Sequence, residues 1–255
     1  MDPPLLELRE LTCRFGGLTA VDRVATVVRR GELVGLIGPN GAGKTTLFNL
    51  VSGVTRPTAG EVWFEGRRID GLPPFQVARL GIGRTFQNLR IFPNMTVADN
   101  VSVGAVRGFG LSAAFTRAGR EQSRAIAERS AAMLQKVGLQ GLADELAANL
   151  SYGKRKMLEI ARALAGEPRL LILDEPAAGL NETETRELSD FIERLRAEGL
   201  TILLVEHDMG LVMRICTRVV VLASGRKIAD AAPDVVRRDP AVLDAYLGTE
   251  EEEGA

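Results

Sequence analysis

The residues Gly38-Pro39-Asn40-Gly41-Ala42-Gly43-Lys44-Thr45 fit the pattern G-x-x-x-x-G-K-[ST] at every fixed position. Glycines at this spacing let successive backbone N–H groups turn toward one anion. Lys44 adds a full positive charge, and Thr45 offers a hydroxyl to a hard cation such as Mg²⁺. The apolar run Leu33-Val34-Gly35-Leu36-Ile37 precedes the loop, and the helix-compatible stretch Thr46-Leu47-Phe48-Asn49-Leu50-Val51 follows it. A strand before and a helix after aim the helix N-terminus at the same anion. The chemistry is the cradling of a polyphosphate.

A second group of residues suits phosphoryl transfer. Leu170-Leu171-Ile172-Leu173 ends in Asp174-Glu175-Pro176. Asp174, at the end of a buried strand, is suited to hold Mg²⁺, usually through water. Glu175 points elsewhere and can orient or deprotonate an attacking water. An isolated Asp-Glu-Pro would read as a turn with solvated acids; four aliphatic residues before it and a phosphate loop upstream reverse that reading. His207 is the single histidine and follows the run Thr201-Ile202-Leu203-Leu204-Val205. An imidazole there is placed to hydrogen-bond a terminal phosphate. A lone histidine elsewhere would be structural or exposed.

These residues need a scaffold. The four apolar runs, the last being Val219-Val220-Val221-Leu222, are continuous rather than alternating. Strands of a parallel sheet covered on both faces read this way. Between the second and third runs, Asn181 caps a helix with Glu184 three residues on, and Leu188, Phe191, Ile192 and Leu195 share one face. The stretch from Thr96 to Asn149 lacks strand runs and is rich in Ala, Arg and Glu, with a helix expected from Arg120 to Val137, closed by Gly138. Leu6 to Leu11 and Glu61 to Glu65 alternate, which suits an antiparallel sheet. The expected architecture is α/β: a parallel-sheet core at approximately residues 1–95 and 154–255, with an antiparallel β part and a helical subdomain at approximately 96–153.

Bulk properties narrow the class. The 255 residues carry 32 basic and 33 acidic groups, a net charge of -1, so the global basic excess of nucleic-acid binders is missing. Hydrophobic residues are 45%, enough for a core without disulfides. Cys13 and Cys216 have no metal-type spacing and read as reduced, buried thiols. The N-terminus lacks the pattern of a signal peptide, and no run approaches the ~18 apolar residues of a membrane span. The Glu250 to Glu253 run reads as a solvated tail.

The motifs together resemble the ATPase domain of ABC transporters over nearly the whole chain, and the resemblance implies a P-loop NTPase (RecA-like) core. Gly38, Pro39, Asn40, Gly41, Ala42, Gly43, Lys44, Thr45 and Thr46 then correspond to the nucleotide-binding loop, with ATP and Mg²⁺ as cofactors. The family's Leu-Ser-Gly-Gly-Gln signature reads Leu150-Ser151-Tyr152-Gly153-Lys154, departing at Tyr152 and Lys154. Ser151 can cap the following helix, making a second anion site. The resemblance implies that Ser151 and Gly153 meet the nucleotide of a second subunit. Phe15 stands where the family stacks an aromatic ring on adenine, though core packing also suits it. Gln87, in Arg84-Thr85-Phe86-Gln87-Asn88, resembles the Q-loop glutamine, a metal-site and catalytic residue. Ala178-Gly179-Leu180-Asn181 resembles the D-loop, and His207 the switch histidine; Lys44, Gln87, Glu175 and His207 are the implied catalytic set.

Within the family, Arg84 to Gln87, Asp174 to Asn181, Val205 to Met209 and Asp244 to Gly248 resemble the ATPases of branched-chain amino acid importers. The implied partners are an identical or related ABC ATPase, transmembrane permease subunits and, indirectly, a periplasmic substrate-binding protein. The implied location is the cytoplasmic face of the inner or plasma membrane, held there by the permeases. Phe92, Phe109 and Phe115 are candidates for that contact or for core packing. Urea or amide importers and lipid or lipopolysaccharide exporters use similar ATPases. A soluble ATPase acting on nucleic acid or ribosomes would call for tandem domains or a basic surface. A non-catalytic module would not need Lys44, Thr45, Asp174, Glu175 and His207 together.

Overall fold

The computed structural model describes residues 3–106 and 116–250, the last four by backbone alone. Phe109, Phe115 and the acidic tail beyond Glu250 lie outside the described residues. The chain opens with strands β1 (Leu6–Phe15), β2 (Leu18–Val28) and β3 (Leu33–Ile37), then helix α1 (Lys44–Val51). Strands β4 (Ala59–Phe64) and β5 (Arg67–Arg68), helix α2 (Pro74–Arg79) and strand β6 (Ile82–Arg84) follow. Helices α3 (Val97–Ala105), α4 (Arg117–Lys136) and α5 (Tyr152–Ala165) come next. The chain then alternates β7 (Leu170–Asp174), α6 (Glu182–Ala197), β8 (Thr201–Val205), α7 (Met209–Ile215) and β9 (Arg218–Ala223). Strand β10 (Arg226–Ala231) and helices α8 (Pro233–Val236) and α9 (Pro240–Glu250) complete the order.

The four continuous apolar runs become β3, β7, β8 and β9 of one sheet, ordered β10-β9-β3-β8-β7-β6. Its pairings are parallel except that of β10 with β9. Every residue of β3, β7 and β8 is buried. Neighbouring residues on a strand face opposite ways. Val34, Leu36, Leu170, Ile172, Leu203 and Val205 enter a core shared with α1 and with β1, β2 and β4. Leu33, Ile37, Leu171, Leu173, Ile202 and Leu204 enter a second core, filled by α5, α6 and α7. Two covered faces explain why the strands read as unbroken hydrophobic runs.

The alternating segments form a separate antiparallel sheet, ordered β2-β1-β4-β5. Arg218 joins the two sheets. Its guanidinium pairs with Asp230 at 2.6 Å and Glu32 at 3.0 Å, and also donates to the Val27 carbonyl of β2. Helices α3, α4 and α5 make a third core through Val97, Val101, Leu134, Leu158 and Ala161. Helix α5 also sends Ile160 and Leu164 into the core under the parallel sheet, so it belongs to both layers. Helix α4 starts three residues earlier than the expected Arg120 because Thr116 caps it, accepting from the Gly119 N–H at 3.1 Å. The expected capping box of α6 is present, with Asn181 and Glu184 each accepting a main-chain N–H at 3.0 Å.

Candidate functional site

Strands β3, β7 and β8 are parallel neighbours, and their carboxyl ends lead directly into the Gly38 loop, Glu175 and the Glu206-His207 step. Open parallel sheets bind ligands at this edge. The loop from Gly38 to Gly43 is tightly enclosed from behind. Gly38 has φ 148° and Gly43 φ 98°. A Cβ at Gly38 would collide with the Leu222 carbonyl, and one at Gly43 with the Ala20 carbonyl of β2. Both sites therefore require glycine on conformation and on space. Asn40, Gly41 and Thr45 are exposed at the front, Pro39, Gly43 and Thr46 are half-buried, and Ala42 is buried.

Lys44 is buried, and its ammonium donates to the carbonyls of Gly38 at 2.7 Å and Pro39 at 2.9 Å. Among the described residues these take two of its three donors, leaving one for an incoming anion. Burial lowers its pKa, while Glu175 and Asp174 oppose that shift. A phosphate would supply the counter-charge that this desolvated cation needs.

The carboxylates are held differently. Asp174 ends β7, is 3% exposed, and pairs with Arg84 at 3.1 Å. Burial raises its pKa, with Arg84 opposing. Arg84 also donates to Asn49 of α1 and to Ser52, which caps the end of that helix, each at 2.8 Å, tying the metal-type carboxylate to the helix that Lys44 opens. Glu175 has φ 47°, a conformation costing a non-glycine residue on the order of 1–3 kcal/mol. Its Oε1 lies 2.8 Å from His207 Nε2, and its Oε2 accepts from Gln87 Nε2 at 2.9 Å. Gln87, Glu175 and His207 thus converge from three segments on one carboxylate.

Other members of the set lie apart. Phe15 sits at the turn between β1 and β2 and is 52% exposed, which excludes core packing. The same hairpin supplies Ala20, the residue behind Gly43. Ser151 is exposed and has the N-cap backbone conformation of α5, but its side chain makes no capping bond. The expected cap is therefore one of backbone position only. Ser151 and Gly153 line a groove of about 590 Å³ between the end of α4, the start of α5 and α6. Among its described lining residues, none comes from the Gly38–Thr45 loop or the Glu175 cluster. Within one chain, the two anion-type sites do not meet in this groove.

Residues 21–178 match the sequence model of the ABC transporter family. This chain belongs to that family. Residues 226–252 further match the model of the branched-chain amino acid ATP-binding cassette transporter. The ABC ATPase is 46% identical over 257 residues to the high-affinity branched-chain amino acid transport ATP-binding protein LivG of Salmonella typhimurium, covering 97% of this chain and 99% of LivG. It is also 46% identical over 253 residues to the corresponding protein BraF of Pseudomonas aeruginosa, covering 97% and 99%. A nucleotide-free ATP-binding cassette from an ABC transporter superimposes with a TM-score of 0.85 at 30% identity, covering 96% of this chain and 99% of that cassette. As an ABC ATPase, the chain binds and hydrolyses ATP. Among the described residues, no helix is long and apolar enough to cross a membrane.

Sequence reading passes over three residues that shape the ABC ATPase site. Arg84 binds Asp174 from β6; its only signal is its place just before Thr85-Phe86-Gln87. Glu206 is buried and accepts from the N–H groups of Ala177 at 2.7 Å and His207 at 3.2 Å, which fixes two loops against each other. An acidic residue directly after a buried strand is the signal for it. Lys156 is buried in α5 and bonds the Glu175 carbonyl; nothing in its spacing announces this.

Proposed function

We propose that this ABC ATPase powers an importer of branched-chain amino acids, hydrolysing Mg²⁺-ATP at the carboxyl edge of its parallel sheet. The match of the C-terminal segment and the names of the relatives support the cargo class. The observation that carries the chemistry is the Glu175 carboxylate, held at both oxygens by Gln87 and His207 at the sheet edge where the phosphate loop begins, with β8 between its strand and the loop's.

In this reading the loop N–H groups and Lys44 bind the β- and γ-phosphates, and Phe15 offers its exposed ring to adenine. Thr45, Asp174 and Gln87 supply the oxygen donors a hard cation takes, and Mg²⁺ bound there would neutralise developing phosphate charge. Glu175 orients the attacking water and accepts its proton at a carboxylate oxygen when one of its two side-chain partners lets go. His207, whose side chain is 45% exposed, has the freedom to turn to the γ-phosphate.

Ser151 and Gly153 complete the site of a second ABC ATPase, identical or related, through a reciprocal two-fold contact. The separation of the two anion-type sites in one chain supports this. The pair docks on permease subunits at the cytoplasmic face of the membrane, served indirectly by a periplasmic binding protein.

The test pairs Glu175→Gln with reconstitution. Glu175→Gln keeps ATP affinity and lowers phosphate release about 10²-fold or more, the loss expected for a general base. Wild-type turnover by this variant sinks the assignment. With permeases and binding protein present, leucine, isoleucine or valine stimulates hydrolysis and urea does not; the reverse pattern overturns the cargo.

A further inference from the structure

Tyr152 and Lys154 are the two departures from the family signature, and the structure gives the first of them a setting. Tyr152 opens α5, and its ring lies against Gly179, where a Cβ would come 3.0 Å from a ring carbon. Lys156 stands one helical turn on, on the same face. Its ammonium is 5.7 Å from the centroid of the Tyr152 ring, a cation–π distance. Lys156 is 3% exposed and donates to the main-chain carbonyl of Glu175 at 3.1 Å. Asp174 and Glu159 also feel its charge.

The Glu175 backbone is therefore fixed on both sides. Its N–H donates to the Val205 carbonyl at 2.9 Å, and its own carbonyl accepts from the Lys156 ammonium at 3.1 Å and from the Ala178 N–H at 3.2 Å. A strained φ of 47° persists only where surrounding groups over-determine it. Of these three anchors, one is the neighbouring strand β8 and one is the turn that follows Glu175 itself. The third, Lys156, is a side chain on the helix that begins at Ser151.

We propose that Lys156, steadied by Tyr152, is a positioning residue that couples the helix opened at Ser151 to the hydrolytic carboxylate of the same chain. This rests on the reading of Glu175 and Ser151 given above. When Ser151 engages the nucleotide of the partner subunit, any shift of the α5 N-terminus pulls on the Glu175 main chain through Lys156. Each chain's hydrolysis is then conditioned by the nucleotide held across the seam, and the two sites act in concert without a direct contact.

The experiment compares Lys156→Met, Lys156→Arg and Tyr152→Ala in the full chain, supplied with the partner subunits that wild-type hydrolysis requires. Four quantities are read: equilibrium ATP affinity, kcat and KM, melting temperature, and ATP-dependent dimerisation in the Glu175→Gln background. Lys156→Met lowers kcat roughly tenfold or more, since small misplacement of a reacting group carries a large rate penalty. Affinity, KM and dimerisation stay at wild-type values. Lys156→Arg, which keeps a cationic donor, recovers most of kcat. Tyr152→Ala, at an exposed position, lowers kcat by a smaller factor and carries the test should Lys156→Met fail to fold. Unchanged kcat in Lys156→Met, or in Tyr152→Ala where only that variant folds, overturns the proposal. So does an equal loss in Lys156→Met and Lys156→Arg accompanied by a fall in melting temperature. Wild-type turnover by Glu175→Gln overturns the underlying assignment instead, whatever Lys156 does.

Discussion

The two anion-type sites of this chain are built to opposite designs. The Gly38–Thr45 loop is packed from behind by Leu222 and Ala20, carries a buried lysine, and stands beside three residues joined on one carboxylate. The Ser151–Gly153 site opens onto a groove, with an exposed serine whose side chain does no structural work at its own helix. Rigid backing suits a site that must hold a ligand alone, because preorganised groups lose little freedom on binding. An open serine at a helix N-terminus suits a surface that meets its anion only when another body brings it. The contrast supports the proposal that the first site binds its anion alone and that the second completes a site on another subunit.

Lys44→Ala strikes the self-sufficient site and should have the larger effect. Loss of a charge-assisted bond worth about 1.5–3 kcal/mol lowers ATP affinity roughly tenfold to a hundredfold. Dimerisation falls with it, because no nucleotide remains to bridge. Equilibrium binding of a fluorescent ATP analogue checks the first part, and sedimentation with Mg²⁺ and ATP the second. Wild-type affinity would dissolve the comparison at its stronger end.

Ser151→Arg strikes the half-site. The serine makes no capping bond, so the helix loses little, and melting temperature and ATP affinity stay near wild type. The ATP-dependent dimer of Glu175→Gln should disappear when Ser151→Arg is added, because a bulky side chain replaces a small hydroxyl at the seam. A surviving dimer in the double variant would place the second site elsewhere.

How far each region was legible follows from how local its causes are. The phosphate loop, the β7 and β8 carboxyl ends and the α6 capping box depend on residues adjacent in sequence, so their patterns read directly. Arg84 and Asp174 are 90 residues apart, and Lys156 meets Glu175 through a main-chain carbonyl, which no side-chain pattern encodes. The Phe15 alternative stayed open because an aromatic ring suits both adenine stacking and core packing; only the hairpin geometry exposes it. The Ser151 hydroxyl shows the converse, since cap-type sequence and backbone are present without the bond.

Glu206→Gln sharpens the comparison with a smaller effect, confined to the packed region. Burial raises the Glu206 carboxyl above its ordinary value of 4.5, with N–H bonds from Ala177, His207 and Asp208 opposing. A raised folded-state pKa means that the native state binds the proton more tightly than the unfolded chain does. Its contribution to stability is full below 4.5 and is lost as pH rises through the raised value. Glu206→Gln removes that share of the slope, so denaturation midpoints should vary less with pH above 4.5 than those of wild type. An unchanged slope would show that Glu206 titrates as it does in the unfolded chain.

The collision that a side chain at Gly43 would make with Ala20 reaches beyond the phosphate loop. Ala20 lies on β2, an edge strand of the antiparallel sheet, well before the loop in the chain. The back wall of the cradle is therefore encoded in the same hairpin that carries Phe15, outside the loop's own sequence. That wall is main chain, so a change that displaces the β2 backbone at residue 20, rather than one that only alters its side chain, would behave genetically as a lesion of the loop itself.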